Sequence, residues 1–206
     1  MTNVFSYNGG CVCAMAGEEC IAIASDKRLG ANFYTTVNFS RQKCFAITPK
    51  VYFLCCGLQS HAELLYRQLR QEVNLLQITE EREIEPAQVA SLLGNILYAK
   101  RFQPFYVSPI VAGLTACGKP YLCEFDLIGT PEVATEFSTA GSADLQISGA
   151  CELFYRPGLS AEELFSVAAN CLIAASERDC CSGWGGVVYV VSPDKVVERH
   201  IETRMD

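Results

Sequence analysis

The chain opens with a cluster of short apolar runs, several of them alternating with polar residues and rich in β-branched or aromatic side chains. Such runs are typical of strands. They predict strands at 10–16, 19–25, 32–38, 43–47 and 51–56. Turn-forming stretches such as AGEE and TPK separate them, so the opening part of the chain is predicted to be mainly β-structure.

Four later segments carry apolar residues three or four positions apart, which places them on one face of a helix. The predicted helices cover 58–76, 86–97, 143–155 and 161–178. Pro86 stands at a first-turn position, where its missing N–H costs nothing. Ser160 and Glu163 have the spacing of a capping box and predict the start of the last helix.

Further strands are predicted at 109–116, 120–127 and 134–140, and in the final segments GGVVYVVS and KVVERHIE. The runs at 51–56, 109–116 and 186–191 are apolar at nearly every position and need cover on both faces, whereas each helix has one apolar stripe. The pattern predicts an α/β fold: a four-layer αββα sandwich with two antiparallel sheets between helical layers. No composition shift marks a linker, so residues 1–206 are interpreted as one domain.

Composition excludes several classes of function. The formal net charge is −7 and there is no Lys/Arg block, so a nucleic-acid surface is not expected. Half of the residues are hydrophobic, but no uninterrupted apolar run approaches the roughly 20 residues of a membrane span. The N-terminus lacks the pattern of a signal peptide, and we expect the protein in the cytoplasm and nucleus.

The twelve cysteines lie inside apolar runs such as YFLCCG and GCVCAMAG. They form no C-x-x-C pair, and only two histidines are present, so the spacing of a zinc site is absent. Buried, reduced thiols that act as small hydrophobic side chains are expected instead. We therefore expect no metal and no cofactor.

Four fragments, in this order, resemble the eukaryotic 20S proteasome β subunits: GGCVCAMAGEECIAIASDKR, RFQPFYVSPIVAGL, FDLIGTPE and RDCCSGWGGVVYVV. The resemblance runs from Ser6 to the final RMD. It implies the αββα fold of N-terminal-nucleophile hydrolases and a part in ubiquitin-dependent protein degradation by a threonine endopeptidase complex. It also implies partners: other β subunits in a seven-membered ring, α-ring subunits and a second β ring.

In active members of that family, a threonine freed at the N-terminus attacks the peptide carbonyl, with its own amine as base and supporting polar groups around it. The positions that match the supporting groups are Asp26, Lys43, Ser142, Asp179 and Ser182. Counting back from Asp26, the position of the nucleophile falls on Gly10, which has no side chain to attack with. The resemblance therefore implies a degenerate, non-catalytic site preceded by an unprocessed extension at residues 1–9.

An alternative is a self-processed N-terminal cysteine hydrolase that uses Cys11, since cysteine is a strong nucleophile. Successive side chains on a strand point to opposite faces, so a shift of one residue would turn Cys11 away from Lys43 and Asp26. Cys13 shares the face of Cys11 but lies deeper in the strand, without a free amine as base. The predicted function is that of a structural subunit, with Cys11 catalysis kept as the alternative.

Asp126 in FDLIGT has two interpretations. The resemblance suggests that this loop borders a neighbouring catalytic subunit's substrate pocket, where the carboxylate would favour basic side chains. Asp126 is also a common type of turn residue. Either way, the chain would act on polypeptide substrates only indirectly.

Overall fold

The computed structural model describes residues 4–32 and 35–205, in which a short 3₁₀ turn at Val4–Ser6 precedes the strands and helices. The strands are β1 Cys11–Ala16, β2 Ile21–Asp26, β3 Leu29–Ala31, β4 Thr35–Asn38, β5 Cys44–Thr48, β6 Val51–Gly57, β7 Val107–Leu114, β8 Pro120–Phe125, β9 Pro131–Ala134, β10 Phe137–Gly141, β11 Gly186–Val191 and β12 Val196–Ile201. The helices are α1 Gln59–Glu80, α2 Pro86–Ala99, α3 Asp144–Phe154 and α4 Ala161–Ser176. None of these helices combines the length and apolar character that a membrane span requires.

The strands pair into two five-stranded antiparallel sheets. The first sheet has the order β10-β1-β2-β11-β12, and the second has the order β5-β6-β7-β8-β9. The short strands β3 and β4 form a separate hairpin. The chain therefore builds its first sheet from both ends of the sequence and its second sheet mostly from the middle.

Three buried apolar clusters lie between successive layers. One cluster fills the space between the sheets and includes Val12, Ile23, Leu54, Ile110 and Leu122. A second packs α1 and α2 on the second sheet through Phe53, Leu65, Leu69, Leu93 and Val111. A third packs α3 and α4 on the first sheet through Cys13, Met15, Ile147, Leu164 and Leu172. The four-layer αββα sandwich predicted from the sequence is confirmed.

Alternation along β1 decides which layer each side chain enters. Val12 and Ala14 enter the cluster between the sheets. Cys11, Cys13 and Met15 enter the cluster under α3 and α4. All five are fully buried, because both faces of this central strand are covered.

The helix boundaries largely follow the predictions. Pro86 is the first residue of α2, and Ser160 with Glu163 forms the predicted capping box at α4. Helix α1 continues to Glu80, one turn beyond the last residue of the predicted apolar stripe. The last turn, 77–80, lies at the surface and adds no buried residue to the stripe, so the buried apolar stripe ends before the helix does.

The strand predicted at 32–38 is confirmed only over Thr35–Asn38, and the preceding strand Leu29–Ala31 was not predicted. The chain turns at Asn32, whose φ of 52° lies in the left-handed region, and β3 and β4 run antiparallel on either side of the turn. Asparagine adopts this conformation more readily than most residues, so the turn needs no glycine. Residues 33 and 34 of the prediction lie outside the described residues.

The strand predicted at 134–140 is confirmed over 137–140, but its start belongs to a different strand, because the chain changes sheets within the predicted range. β9 ends at Ala134 and pairs with β8 in the second sheet, whereas β10 starts at Phe137 and pairs with β1 in the first. Alternation of apolar and polar residues continues across the crossing and does not reveal which sheet a residue joins.

Candidate functional site

A buried ion pair lies where β2 ends. Lys43 Nζ is 2.7 Å from Asp26 Oδ1, and the two residues are at most 1% exposed. The ammonium group also donates to the carbonyl oxygen of Arg28 at 2.7 Å. A buried ion pair is tolerated only when its remaining hydrogen-bonding groups are satisfied, and these contacts satisfy them.

The Asp26 carboxylate joins three parts of the backbone. Oδ1 accepts from the N–H of Cys11 at 2.8 Å, and Oδ2 accepts from the N–H groups of Arg28 at 3.2 Å and Gly183 at 3.3 Å. Gly183 belongs to the segment 177–185, the α4–β11 loop. Asp26 therefore holds the start of β1 and this loop against the end of β2.

Gly10 directly faces the Lys43 side chain. Its φ is +129°, and a Cβ built on it would lie 2.4 Å from Lys43 Cε and 3.0 Å from Lys43 Nζ. A side chain at this position would thus point at the buried ammonium group. The position offers that group no hydroxyl or thiol, because it is glycine.

The backbone of Gly10 is bound by Ser142, which in turn contacts Asp179. Its N–H donates to Ser142 Oγ at 3.1 Å, and the Ser142 hydroxyl lies 2.6 Å from Asp179 Oδ2. The N–H of Ser142 donates to the carbonyl oxygen of Gly10 at 2.8 Å. The Gly10 nitrogen is an amide within the continuous chain, and amide resonance leaves it without the basicity of a free amine.

Ser182 lies in the same loop but stands apart from this network. It is 2% exposed, and its hydroxyl makes no hydrogen bond within the described part of the chain. The structure therefore brings five of the six predicted positions together through their contacts, whereas Ser182 lies between Cys181 and Gly183, whose N–H groups bind Asp179 and Asp26, without a hydrogen bond from its own hydroxyl in the described residues.

Arg28 also supports the site, although it was not among the residues predicted from the sequence. Arg28 is 3% exposed, and its Nη1 donates to the carbonyl oxygen of Cys181 at 2.9 Å. Its Nε donates to Thr36 Oγ1 at 3.1 Å. In the sequence Arg28 follows Lys27 in an ordinary basic pair, and no pattern there distinguishes a buried arginine from an exposed one.

Asn8 attaches the segment before Gly10 to the body of the protein. Its Nδ2 donates to the carbonyl oxygen of Gly30 at 2.9 Å, and its Oδ1 accepts from the N–H of Gln59 at 2.9 Å. Gln59 is the first residue of α1, and the helix has no cap from its own Leu58 side chain. Asn8 therefore supplies from a distance the acceptor that a helix N-terminus needs.

Cys11 is one residue beyond Gly10 and faces the opposite way. Its side chain is fully buried in the cluster under α3 and α4, together with Cys13. The pKa of the Cys11 thiol is raised well above its ordinary value, chiefly by burial and then by the charge of Asp26. The group is a protonated thiol in a tightly packed core.

Asp126 closes the turn between β8 and β9. Its Oδ1 accepts from the N–H groups of Ile128 at 3.0 Å and Thr130 at 2.8 Å. Partial burial raises the pKa of this exposed carboxyl, but the hydrogen bonds from Thr130 and Ile128 outweigh burial and lower the pKa overall. Asp126 therefore stabilises the turn through hydrogen bonds to the backbone of its own chain.

The fold and the Lys43–Asp26 pair facing the start of β1 define a protein with the N-terminal-nucleophile hydrolase architecture. The sequence profile described as "Proteasome subunit" matches residues 6–191, and the chain belongs to the proteasome subunit family.

Within this family, the chain is similar to subunits of one named type. The chain is 43% identical to proteasome subunit beta type-3 of Picea mariana over 204 residues, covering 99% of this chain and 100% of the relative. It is 42% identical to the probable proteasome subunit beta type-3 of Schizosaccharomyces pombe, with the same coverage. It is 40% identical to proteasome subunit beta type-3 of Saccharomyces cerevisiae over 207 residues, with full coverage of both chains.

Proposed function

We propose that the chain is a non-catalytic, architectural β subunit of the 20S proteasome core particle. The observation that carries the proposal is Gly10, whose missing side chain would point at the buried Lys43 ammonium group. The family's supporting groups surround a position that has no nucleophilic side chain and, as long as residues 1–9 remain attached, no free amine. Without these two groups, the covalent step of the family's chemistry has no starting atom.

The polar network keeps a structural purpose in this proposal. Asp26 accepts four hydrogen bonds, from Lys43, Cys11, Arg28 and Gly183, and so connects β1, β2 and the α4–β11 loop. Removing a member would leave a buried charge unpaired, at a cost of several kcal/mol. Such a network is retained for stability whether or not it serves catalysis.

Assembly with other proteasome subunits follows from family membership. We propose that the partners are other β subunits in a seven-membered ring, α-ring subunits and a second β ring, in the cytoplasm and nucleus. Exposed apolar side chains on α3 support an interface there, since Leu145 is 86% and Leu153 74% exposed. The polypeptide substrate would be met only through neighbouring subunits.

The alternative function is a self-processed cysteine hydrolase with Cys11 as its N-terminal nucleophile. Its side chain lies in the cluster under α3 and α4, while the Lys43 ammonium faces Gly10. Its N–H already donates to Asp26, and its raised pKa keeps the thiol protonated. These features favour the architectural proposal.

Two measurements on the particle that contains this chain test the proposal. Intact-mass analysis should find residues 1–9 still attached, and a peptide-based electrophile should leave the chain unlabelled while it labels catalytic subunits of the same particle. A mature chain that starts at Cys11, or covalent labelling of Cys11, would overturn the architectural assignment and establish the alternative.

We further propose that Asp126 contributes charge to a neighbouring subunit's substrate pocket. Asp126→Asn keeps an acceptor oxygen for the turn and removes only the negative charge, so it separates the two roles. A lower rate of cleavage after Arg or Lys by the assembled particle is expected, with cleavage after apolar residues unchanged. Equal rates for both particles would leave Asp126 with its turn role alone.

A further inference from the structure

Three side chains with metal-binding atoms converge in the α4–β11 loop. The carboxylate of Asp179 and the thiols of Cys180 and Cys181 have ligating atoms that all lie within 4.8 Å of one another. The two sulfur atoms are 3.8 Å apart. Cys180 is exposed and Cys181 is buried, so the group lies at the surface with one side open.

The separation of the two sulfur atoms fits a tetrahedral metal site. Zinc–sulfur bonds of about 2.3 Å at a tetrahedral angle place two thiolates about 3.8 Å apart. Zinc–oxygen bonds of about 2.0–2.2 Å place a carboxylate oxygen about 3.6 Å from each sulfur. The Asp179 oxygen already lies within 4.8 Å of both, and the exposed Cys180 side chain has room to rotate.

The candidate ligands are held in place by hydrogen bonds within the loop and from residues outside it. Ser142 Oγ lies 2.6 Å from Asp179 Oδ2, and the N–H of Cys181 donates to Asp179 Oδ1 at 3.0 Å. Arg28 holds the carbonyl oxygen of Cys181, and Arg204 Nη2 donates to that of Asp179 at 3.3 Å. Outer contacts of this kind orient ligands and raise metal affinity.

We propose that Asp179, Cys180 and Cys181 bind one thiophilic divalent cation of the zinc class through two thiolates and a carboxylate oxygen, with the fourth position taken by water. The proposal goes beyond the architectural function and does not depend on it. Binding forms two metal–sulfur bonds and one metal–oxygen bond, and the two S–H protons pass to solvent. No change of oxidation state is involved.

The sequence expectation of no metal site relied on spacing. Zinc motifs usually separate their cysteines by two or more residues, and adjacent cysteines do not match that pattern. In this loop the side chains of adjacent residues nevertheless turn toward each other, as the sulfur separation of 3.8 Å shows. The third candidate ligand is the neighbouring residue Asp179.

The test consists of two titrations of the reduced full chain. Binding of Cd²⁺ is monitored through the ultraviolet charge-transfer absorption of cadmium–thiolate bonds. Binding of Zn²⁺ is measured in competition with a chromophoric chelator. The decisive variant is Cys180→Ser, and the matched control is Cys117→Ser, because Cys117 is the other exposed cysteine. The wild-type chain and Cys117→Ser should each bind one equivalent that Cys180→Ser lacks. Equal binding by wild type and Cys180→Ser, or loss only in Cys117→Ser, would overturn the proposal.

A positioning role for Ser142 gives an independent measure. Ser142→Ala removes the hydrogen bond to Asp179 but no metal ligand, and loss of such an outer contact weakens metal affinity about 10–100-fold. The stoichiometry should stay at one equivalent. An affinity equal to that of wild type would overturn the positioning role of Ser142.

A measurement on the wild-type chain keeps the proposal testable if a variant does not fold. Zn²⁺ should slow alkylation of Cys180 by iodoacetamide while alkylation of Cys117 continues at its former rate, as read by peptide mass analysis. Unchanged alkylation of Cys180 at saturating Zn²⁺ would count decisively against the site.

Discussion

Replacing Lys43 with methionine is expected to destabilise the chain strongly. The substitution keeps most of the aliphatic volume but removes the ammonium group that pairs with Asp26 at 2.7 Å. Asp26 is fully buried, so its charge would remain without a cationic partner. Breaking a buried ion pair by removing one partner costs about 3–5 kcal/mol.

The expected loss converts into a measurable shift of Tm. For a chain of 206 residues, each kcal/mol corresponds to about 2–4 °C, so Lys43→Met should lower Tm by roughly 6–20 °C. Thermal unfolding of the full chain, followed by far-ultraviolet circular dichroism, measures this shift. The matched control is Lys195→Met, because Lys195 is exposed and should change Tm by only a small amount.

A second substitution separates the charge from the packing. The double variant Lys43→Met with Asp26→Asn no longer has a buried charge at either position. Its asparagine NH₂ group replaces the oxygen that accepts from the N–H groups of Arg28 and Gly183, so those hydrogen bonds are lost. The double variant should therefore lose less stability than the sum of the two single variants. A Tm for Lys43→Met equal to that of Lys195→Met would refute the structural interpretation of the network.

Three further outcomes are expected. Gly10→Thr should yield no peptidase activity, and a self-cleaved, active product would contradict that expectation. The same variant should lower the free energy of unfolding in urea by about 1–3 kcal/mol, because φ is +129° at this position and the side chain would meet Lys43. Brief alkylation of the native chain should modify Cys117 and Cys180 and spare the ten buried cysteines, as peptide mass analysis would show. Asp126→Ala should cost at most about 1 kcal/mol at neutral pH through two lost turn hydrogen bonds. Because the folded pKa of Asp126 is lowered, its contribution is present above the unfolded value of about 3.9 and is lost as pH falls through the folded pKa, so urea curves of variant and wild type should converge in acid.

Periodicity predicted the layers of this protein because strands and helices in each layer have a characteristic spacing of apolar residues. A run such as 51–56, which is apolar at every position, predicts a strand whose two faces are both packed against other layers. The structure confirms this, because every residue of β6 is buried. Alternation likewise predicted that Cys11 and Cys13 share a face, and both lie under α3 and α4. Patterns repeated along a strand or helix are therefore readable from sequence.

Contacts between distant segments leave no comparable mark. The hydrogen bond from Ser142 to Asp179 spans 37 positions, and only the family resemblance suggested that these residues meet. The change of sheet between Ala134 and Phe137 is invisible because alternation continues through it. Burial of Arg28 depends on a carbonyl contributed by Cys181, 153 positions away. Such features depend on topology, which short-range patterns do not encode.

The contacts of Asn8 determine what a cut before Gly10 would remove. Cleavage before Gly10 would remove the acceptor for the first N–H of α1 and the two hydrogen bonds to Gly30. Such a cut would therefore detach the beginning of the chain from α1 and from the β3–β4 hairpin at the same time, so Asn8 connects two elements that are far apart in the sequence.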